Sequence, residues 1–357
     1  MVDPSVRVSL SAQEQKKYLL TDGDILLNRT NSPALVGKAG IFRGAEQAVF
    51  ASYLVRLGIN RELADPDFVI QVLNSEDGQR RIRKLATRAV SQANINPTTF
   101  QRYFEIPSLG LHAQHGIRNL LVAVDQAVNL RHVLIQKQLK RVEWFRVRYL
   151  TGKIRLPGYS QKWGVFRLSE VLYEHGETKS DSEEVYSVSV HEGLVNQIEH
   201  LGRSFAAATT DHYNLVKPGD IVYTKSPTGD FPLGIIKQSK VDKNVIVSPL
   251  YGVFTPKTRE LGVLLDCYFE SPANAFNYLH PIVQRGAKNT ISITNKTFLS
   301  NSLLLPTDPD EQKALAGFVE LAKREIRLLE RQVEAYRRQK RGLMQKLLTG
   351  EWRIKNQ

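Results

Sequence analysis

Leu348-Thr349-Gly350-Glu351-Trp352-Arg353 repeats Leu150-Thr151-Gly152-Lys153-Ile154-Arg155 at a distance of 198 residues. Working outward from that pair, Gly23-Asp24-Ile25-Leu26 returns as Gly219-Asp220-Ile221-Val222 at a distance of 196. Ile95-Asn96-Pro97-Thr98-Thr99-Phe100 returns as Ile293-Thr294-Asn295-Lys296-Thr297-Phe298 at 198, and Pro107 finds a partner in Pro306. Four landmarks in one order at a near-constant offset mark a tandem duplication, and that duplication governs how the rest is read.

Each copy opens with a β-leaning segment and closes with a long helical one. In the second copy, Ile221 to Thr224, Leu233 to Ile236, Val245 to Val247 and Tyr251 to Phe254 are short β-branched or aromatic runs between turn residues, the pattern of strands. The helical part keeps a heptad seam through Ala322, Ile326, Leu329, Val333, Tyr336, Lys340, Leu343 and Leu347. Its counterpart in the first copy is the more polar series Val124, Val128, Arg131, Ile135, Gln138, Val142, Phe145 and Tyr149. Helices of about 35 residues reach roughly 50 Å, the length of a spacer. A single such seam is equally at home in a hairpin packed on its own domain. Two in one chain can bury each other's stripe, so antiparallel pairing is expected.

The expected fold is therefore α+β. Two tandem globules of mixed α/β character span 1–107 and 158–306, and long helical spacers over 108–157 and 307–357 pair as an antiparallel coiled coil. A net charge of +13 favours a polyanionic partner, because Lys and Arg that neutralise phosphates release condensed counterions. The charge is concentrated: 108–157 holds nine Lys/Arg against two Asp/Glu, and 308–357 twelve against eight. With one cysteine, Cys267, no apolar run of membrane-spanning length and a polar Ser11–Lys17 stretch, the sequence suggests a reduced, cytoplasmic protein without a membrane partner.

The run Pro306-Thr307-Asp308-Pro309-Asp310-Glu311-Gln312 opens a helix that closes on Lys340-Arg341-Gly342-Leu343-Met344-Gln345-Lys346-Leu347-Leu348-Thr349-Gly350. Over essentially its whole length the chain thereby resembles the specificity (S) subunits of type I restriction–modification systems. The resemblance implies two target recognition domains, each contacting one half of a split site in double-stranded DNA. It also implies two methyltransferase subunits clasping the helices and restriction subunits joining through the complex. S-adenosylmethionine, ATP and Mg then belong to those partners, and this chain carries no cofactor.

Two departures stand out. The first copy reads Ile106-Pro107-Ser108-Leu109-Gly110-Leu111-His112-Ala113-Gln114, with Ala113 where the family pattern has Glu. The second copy starts near Trp163, 56 residues before Gly219, whereas 22 residues precede Gly23, so the first recognition domain reads as lacking about 34 residues at its N-terminus. That difference motivates an alternative, a shortened S protein that does not assemble and serves as a recombination reservoir of recognition domains.

Catalytic patterns are missing from the sequence. There is no Asn/Asp-Pro-Pro-aromatic methyltransferase motif and no Gly-x-Gly-x-x-Gly, and Gly37-Lys38 lacks the remainder of a phosphate loop. Asp310 and Glu311 at a helix start read as capping carboxylates. His112 and His115 read as loop residues, the histidines show no metal-ligand spacing, and Cys267 reads as a core thiol. No catalytic or metal residue is assigned, and the chain is expected to be a non-enzymatic recognition subunit.

Base discrimination needs Arg, Lys, Asn or Gln projecting from a rigid frame. Two stretches qualify in each copy. The candidates in the first copy are Asn28, Arg29 and Asn31, then Gln92, Asn94 and Asn96. Those in the second are Tyr223, Thr224 and Lys225, then Arg285, Lys288 and Asn289. The competing reading is a polar turn satisfying its own backbone, as Asn, Ser and Thr routinely do.

Overall fold

A computed structural model describes residues 7–44, 47–89, 91–179, 182–198, 210–285 and 291–353. They divide into two compact units, Met1–Leu134 with Leu329–Gln357, and Ile135–Leu328. Each unit thus holds one globule and a part of each long helix.

Unit 1 begins with α1 (Ala12–Tyr18), β1 (Ile25–Asn28), β2 (Thr30–Asn31), β3 (Ala39–Ile41) and β4 (Leu54–Leu57). The turn into β1 depends on Gly23, whose φ of 91° is strained for any residue with a Cβ. Asp24 locks it by accepting the Thr21 amide at 2.9 Å. An antiparallel sheet follows in the order β3-β1-β4, with Ile25 and Leu27 facing the core. There they meet Val69 and Leu73 of α2 (Pro66–Asn74) and Ile82 of α3 (Glu76–Leu85). Asp65 caps α2, and Ser75 caps α3 by accepting the Gly78 amide. The hairpin β5 (Ala86–Arg88) and β6 (Ala93–Ile95) then joins β2 in a second sheet, and α4 (Pro97–Tyr103) leads to the long helix α5 (Leu111–Arg148).

Unit 2 adds β7 (Gly164–Arg167), α6 (Leu168–Val171), β8 (Leu172–Tyr173), the hairpin β9 (Tyr186–Ser189) and β10 (Gly193–Asn196), and β11 (Asn214–Val216). From there it repeats unit 1: Gly219 has φ 90°, and Asp220 accepts the Lys217 amide at 2.8 Å. The bonds that close the turn recur as well, Phe42 N to Asp24 O at 2.8 Å and Ser239 N to Asp220 O at 2.7 Å. β12 (Ile221–Thr224) pairs with β13 (Ile235–Gln238) and β15 (Gly252–Pro256) as β1 does with β3 and β4, while β14 (Val245–Val247) pairs with β11. Then come α7 (Arg259–Phe269), α8 (Pro272–Leu279), the hairpin β16 (Gln284–Arg285) and β17 (Ile291–Ser292), α9 (Asn295–Phe298), β18 (Ser302–Leu305) and the long helix α10 (Pro309–Leu348). The α+β fold of two related globules with long helices is as the repeat foretold.

The units differ in what surrounds the shared sheet. In unit 2, β7 pairs with all four residues of β18 and β8 extends the sheet at Thr255 and Pro256. A second layer buries Val222 and Val253 against Leu194, Val216, Val245 and Val247. In unit 1 the residues at those two positions are Leu26, half-buried, and Arg56, whose guanidinium donates to Leu19 O at 2.7 Å. Phe104 to Pro107, which stand where β18 stands in unit 2, are in no strand.

Within unit 1 the long helices run antiparallel, since partners rise along one as they fall along the other. Asp125 accepts Lys340 Nζ at 2.8 Å, and Arg131 lies over the Tyr336 ring at 4.7 Å. In unit 2 the same helices meet where Phe145 stacks on Phe318, with centroids 4.1 Å apart. Of the seam positions, Val124, Ile135, Val142, Phe145, Ile326, Val333 and Leu347 are buried, and Val128, Leu329, Tyr336 and Leu343 are half-buried.

Both helices end alike. Gly152 (φ 69°) and Gly350 (φ 78°) take the left-handed conformation, and Ile154 N and Trp352 N bond back to Arg148 O and Lys346 O at 3.0 and 2.9 Å. That geometry is what the Leu-Thr-Gly repeat encodes. Their starts share a stitch too, Gln114 Nε2 to Leu109 O and Gln312 Nε2 to Pro306 O, each 2.7 Å. Glu311 corrects a sequence expectation. Asp308 caps α10, while Glu311 is fully buried and accepts Arg155 Nε at 2.8 Å and the Trp163 indole at 3.0 Å. Its hydrogen bond raises the Arg155 pKa against the opposing effect of burial.

Candidate nucleic-acid interface

In unit 1 the fold brings both polar stretches together, because β2 pairs with β6: Thr30 faces Asn94, and Asn31 faces Ala93. The hairpin closes on Ala89 N to Gln92 O at 2.8 Å, which leaves Gln92 exposed at its turn.

Several candidates serve their own backbone. Asn96 caps α4, accepting the Thr98 and Thr99 amides at 2.9 and 3.1 Å. Asn31 accepts the Ser32 amide at 2.8 Å, and Asn94 accepts the Thr30 hydroxyl at 2.8 Å. Asn28 and Arg29 differ: Asn28 Oδ1 and Arg29 Nε are buried without a hydrogen-bond partner among the described residues.

In unit 2 two candidates are interior. Tyr223 is fully buried, stacks on Phe298 at 4.7 Å and donates to Leu233 O at 2.9 Å. Burial pushes its phenol pKa up. Thr224 is 2% exposed and its hydroxyl accepts the Ser226 amide at 3.3 Å. Neither reaches a groove, because β12 has packed layers on both faces. Lys225 is the first residue past that strand to meet solvent. Arg285 lies on β16, with its side chain outside the described residues, as are Lys288 and Asn289 altogether.

Other polar clusters are internally satisfied. A 220 Å³ cleft in unit 1 is lined by Arg43, Arg61 and Arg118, but Arg43 pairs with Asp22 and Asp67, and Arg118 with Asp65. In unit 2, Lys323 sits between Asp266 (3.1 Å) and Glu270 (2.7 Å), with Lys240 on Asp266 and Arg146 on Glu270. Burial alone would raise the Asp266 carboxyl, but Lys323 and Lys240 outweigh it and hold it well below the ordinary carboxylate range. Cys267 is a buried free thiol whose pKa burial raises. No group of three or more His, Cys, Asp or Glu among the described residues could hold a metal. No described helix is long and apolar enough to cross a membrane.

No family model matches the chain. A protein named as the specificity subunit of the type I restriction enzyme MjaX, from Methanocaldococcus jannaschii, is 22% identical over 97% of this chain and 82% of its own length. The crystal structure of a type I restriction–modification S subunit from M. genitalium covers 93% of this chain and 84% of its own, with 16% identity and a TM-score of 0.58. HsdS from Thermoanaerobacter tengcongensis aligns over 94% of this chain and 82% of its own, at 16% identity and a TM-score of 0.45. The likeness to the M. genitalium structure gives the chain the fold of a type I S subunit, and its homologue is named as one, in agreement with the resemblance carried by the helix-closing motif.

Proposed function

We propose that this chain gives sequence specificity to a type I restriction–modification assembly, each unit reading one half of a split DNA site. The observation that carries the reading is the duplicated turn, strand and hairpin. The backbone bonds of its turn and strand match between units while the side chains diverge, as two different half-sites require. Methylation and cleavage belong to partner subunits, with their S-adenosylmethionine, ATP and Mg, and the chain itself is not an enzyme.

Partner docking on the long helices is supported by apolar side chains left exposed there: Leu130 (56%) and Val133 (51%) in unit 1, Trp144 (53%) and Leu321 (67%) in unit 2. Co-expression with a type I methyltransferase subunit tests the assignment. A stable complex that methylates one bipartite sequence is the expected result. A chain that stays insoluble alone and with that subunit would favour the second reading, a recombination reservoir, motivated by the smaller first globule.

A further inference from the structure

Resting on that reading, we infer that Arg29 and Lys225, the same position of the two repeats, are the side chains that select guanine in their respective half-sites. Counting from the matched glycine turns, each lies six residues beyond, immediately after the matched strands β1 and β12. Both carry a long cation, and neither forms a side-chain hydrogen bond or ion pair among the described residues. Their neighbours behave differently. Arg43, Arg56, Arg61, Arg81 and Arg118 of unit 1 are each tied to a carboxylate or a carbonyl.

The main chain under Arg29 is held by hydrogen bonds, and beside Lys225 another strand end approaches closely. Arg29 N donates to Tyr53 O at 3.0 Å and Arg29 O accepts from Ile95 N at 2.8 Å, which holds the residue between β4 and the hairpin. Beside Lys225 the close approach is that of Gly234, with φ 101°: a Cβ there would lie 2.1 Å from Thr224 O and 3.2 Å from Lys225 Cα. A rigid base under a long donor is what directional readout demands, since register errors of an ångström misplace the hydrogen bonds.

Guanine presents two acceptors, O6 and N7, on its major-groove edge, and Arg or Lys engages both. Four other polar residues of these stretches are engaged or interior: Asn31, Asn94 and Asn96 serve turns, strand pairs or caps, and Thr224 is buried.

The test is selection from a randomised duplex pool by the full chain, alone and with its methyltransferase partner, comparing wild type with Arg29→Lys, Arg29→Gln and Lys225→Gln. Circular dichroism melts establish that each variant is folded. The expected result is a wild-type motif with a guanine in each half. Arg29→Gln should relax one guanine roughly tenfold or more, Lys225→Gln should relax the other, and Arg29→Lys should weaken preference at the Arg29 position alone. Uniform weakening of all sequences, with a salt slope shallower by about one unit, identifies phosphate contacts and overturns the assignment. So does a motif the variants leave unchanged, which refutes this inference but leaves the DNA-reading function standing. A folded wild-type chain that enriches no motif in either form refutes both.

Discussion

The two units close the same joint with opposite chemistry. In unit 1, Phe68 and Val72 of α2 pack on Ile117 and Leu121 of α5 and on Leu347 and Leu348 of α10, an apolar contact, with the Asp65–Arg118 pair beside it at the start of α2. In unit 2, α7 offers Asp266 and Glu270, which meet Lys323 of α10 and Arg146 of α5. After duplication the backbone bonds persisted, while the side chains between helix and globule were free to change as matched sets. Fold and joint chemistry are thus separable, and that separation can be tested by damaging each joint in turn.

The largest effects should come from single truncations. Asp266→Ala strands Lys323 and Lys240 without their shared carboxylate, and removing one partner of a buried pair costs about 3–5 kcal/mol. Phe68→Ala, at a fully buried position, should cost about the same through a cavity. Denaturant unfolding checks both. If Asp266→Ala loses less than about 1 kcal/mol, the ionic joint is solvated and the contrast with unit 1 collapses.

Next in size is Val333→Asp, which puts a carboxylate at a helix-seam position that is 3% exposed. A loss of roughly 3 kcal/mol is expected, at the upper end for an unpaired polar group in a protein interior. An unchanged melt would mean that the seam does not bear on stability in unit 1.

The seam and the repeat were legible in the sequence because the seam follows the period of one helix and the repeat shows as short motifs returning at a near-constant offset. Gly350 sits two residues past the helix it ends, whereas Asn96, read as a candidate for DNA contact, sits directly before the helix it caps. Tyr223 was misjudged because it faces the inner core of unit 2, where Phe298, 75 residues later in the chain, stacks on its ring. Glu311 was misjudged for the same reason, its partner Arg155 lying 156 residues away. Polar residues near a turn reveal their donors and acceptors in sequence, but whether those are already spent depends on distant neighbours.

A pH series should separate the joints by a smaller amount. The Asp266 carboxyl is depressed in the fold, so its contribution is complete above the unfolded aspartate value near 4 and fades as pH falls toward the folded one. Roughly 2 kcal/mol should disappear from unit 2 on acidification below about pH 4. The Phe68 and Val72 contact of unit 1 holds no titrating side chain, the Asp65–Arg118 pair lying at the start of α2. Hydrogen exchange of α7 amides that accelerates no more than that of α2 amides under acid would argue that Asp266 is not held as described.

The smallest effect probes the uncovered sheet of unit 1, through Arg56→Val. Unit 2 has Val253 at this position, 4% exposed beneath its second layer. If burial of the side chain were the only difference, valine should stabilise unit 1 as well. The surroundings say otherwise: Arg56 donates to Leu19 O at 2.7 Å and lies 5.9 Å from the Phe50 ring centroid, and both contacts vanish with valine. Without a covering layer among the described residues, valine gains little from the hydrophobic effect, which scales with area removed from water. A net loss of about 1 kcal/mol follows from the missing hydrogen bond and cation–π contact. A gain of that size in the melt would instead mean that something covers this face in the folded protein, and the sheets of the two units would then be equivalent in packing as well as in backbone pairing.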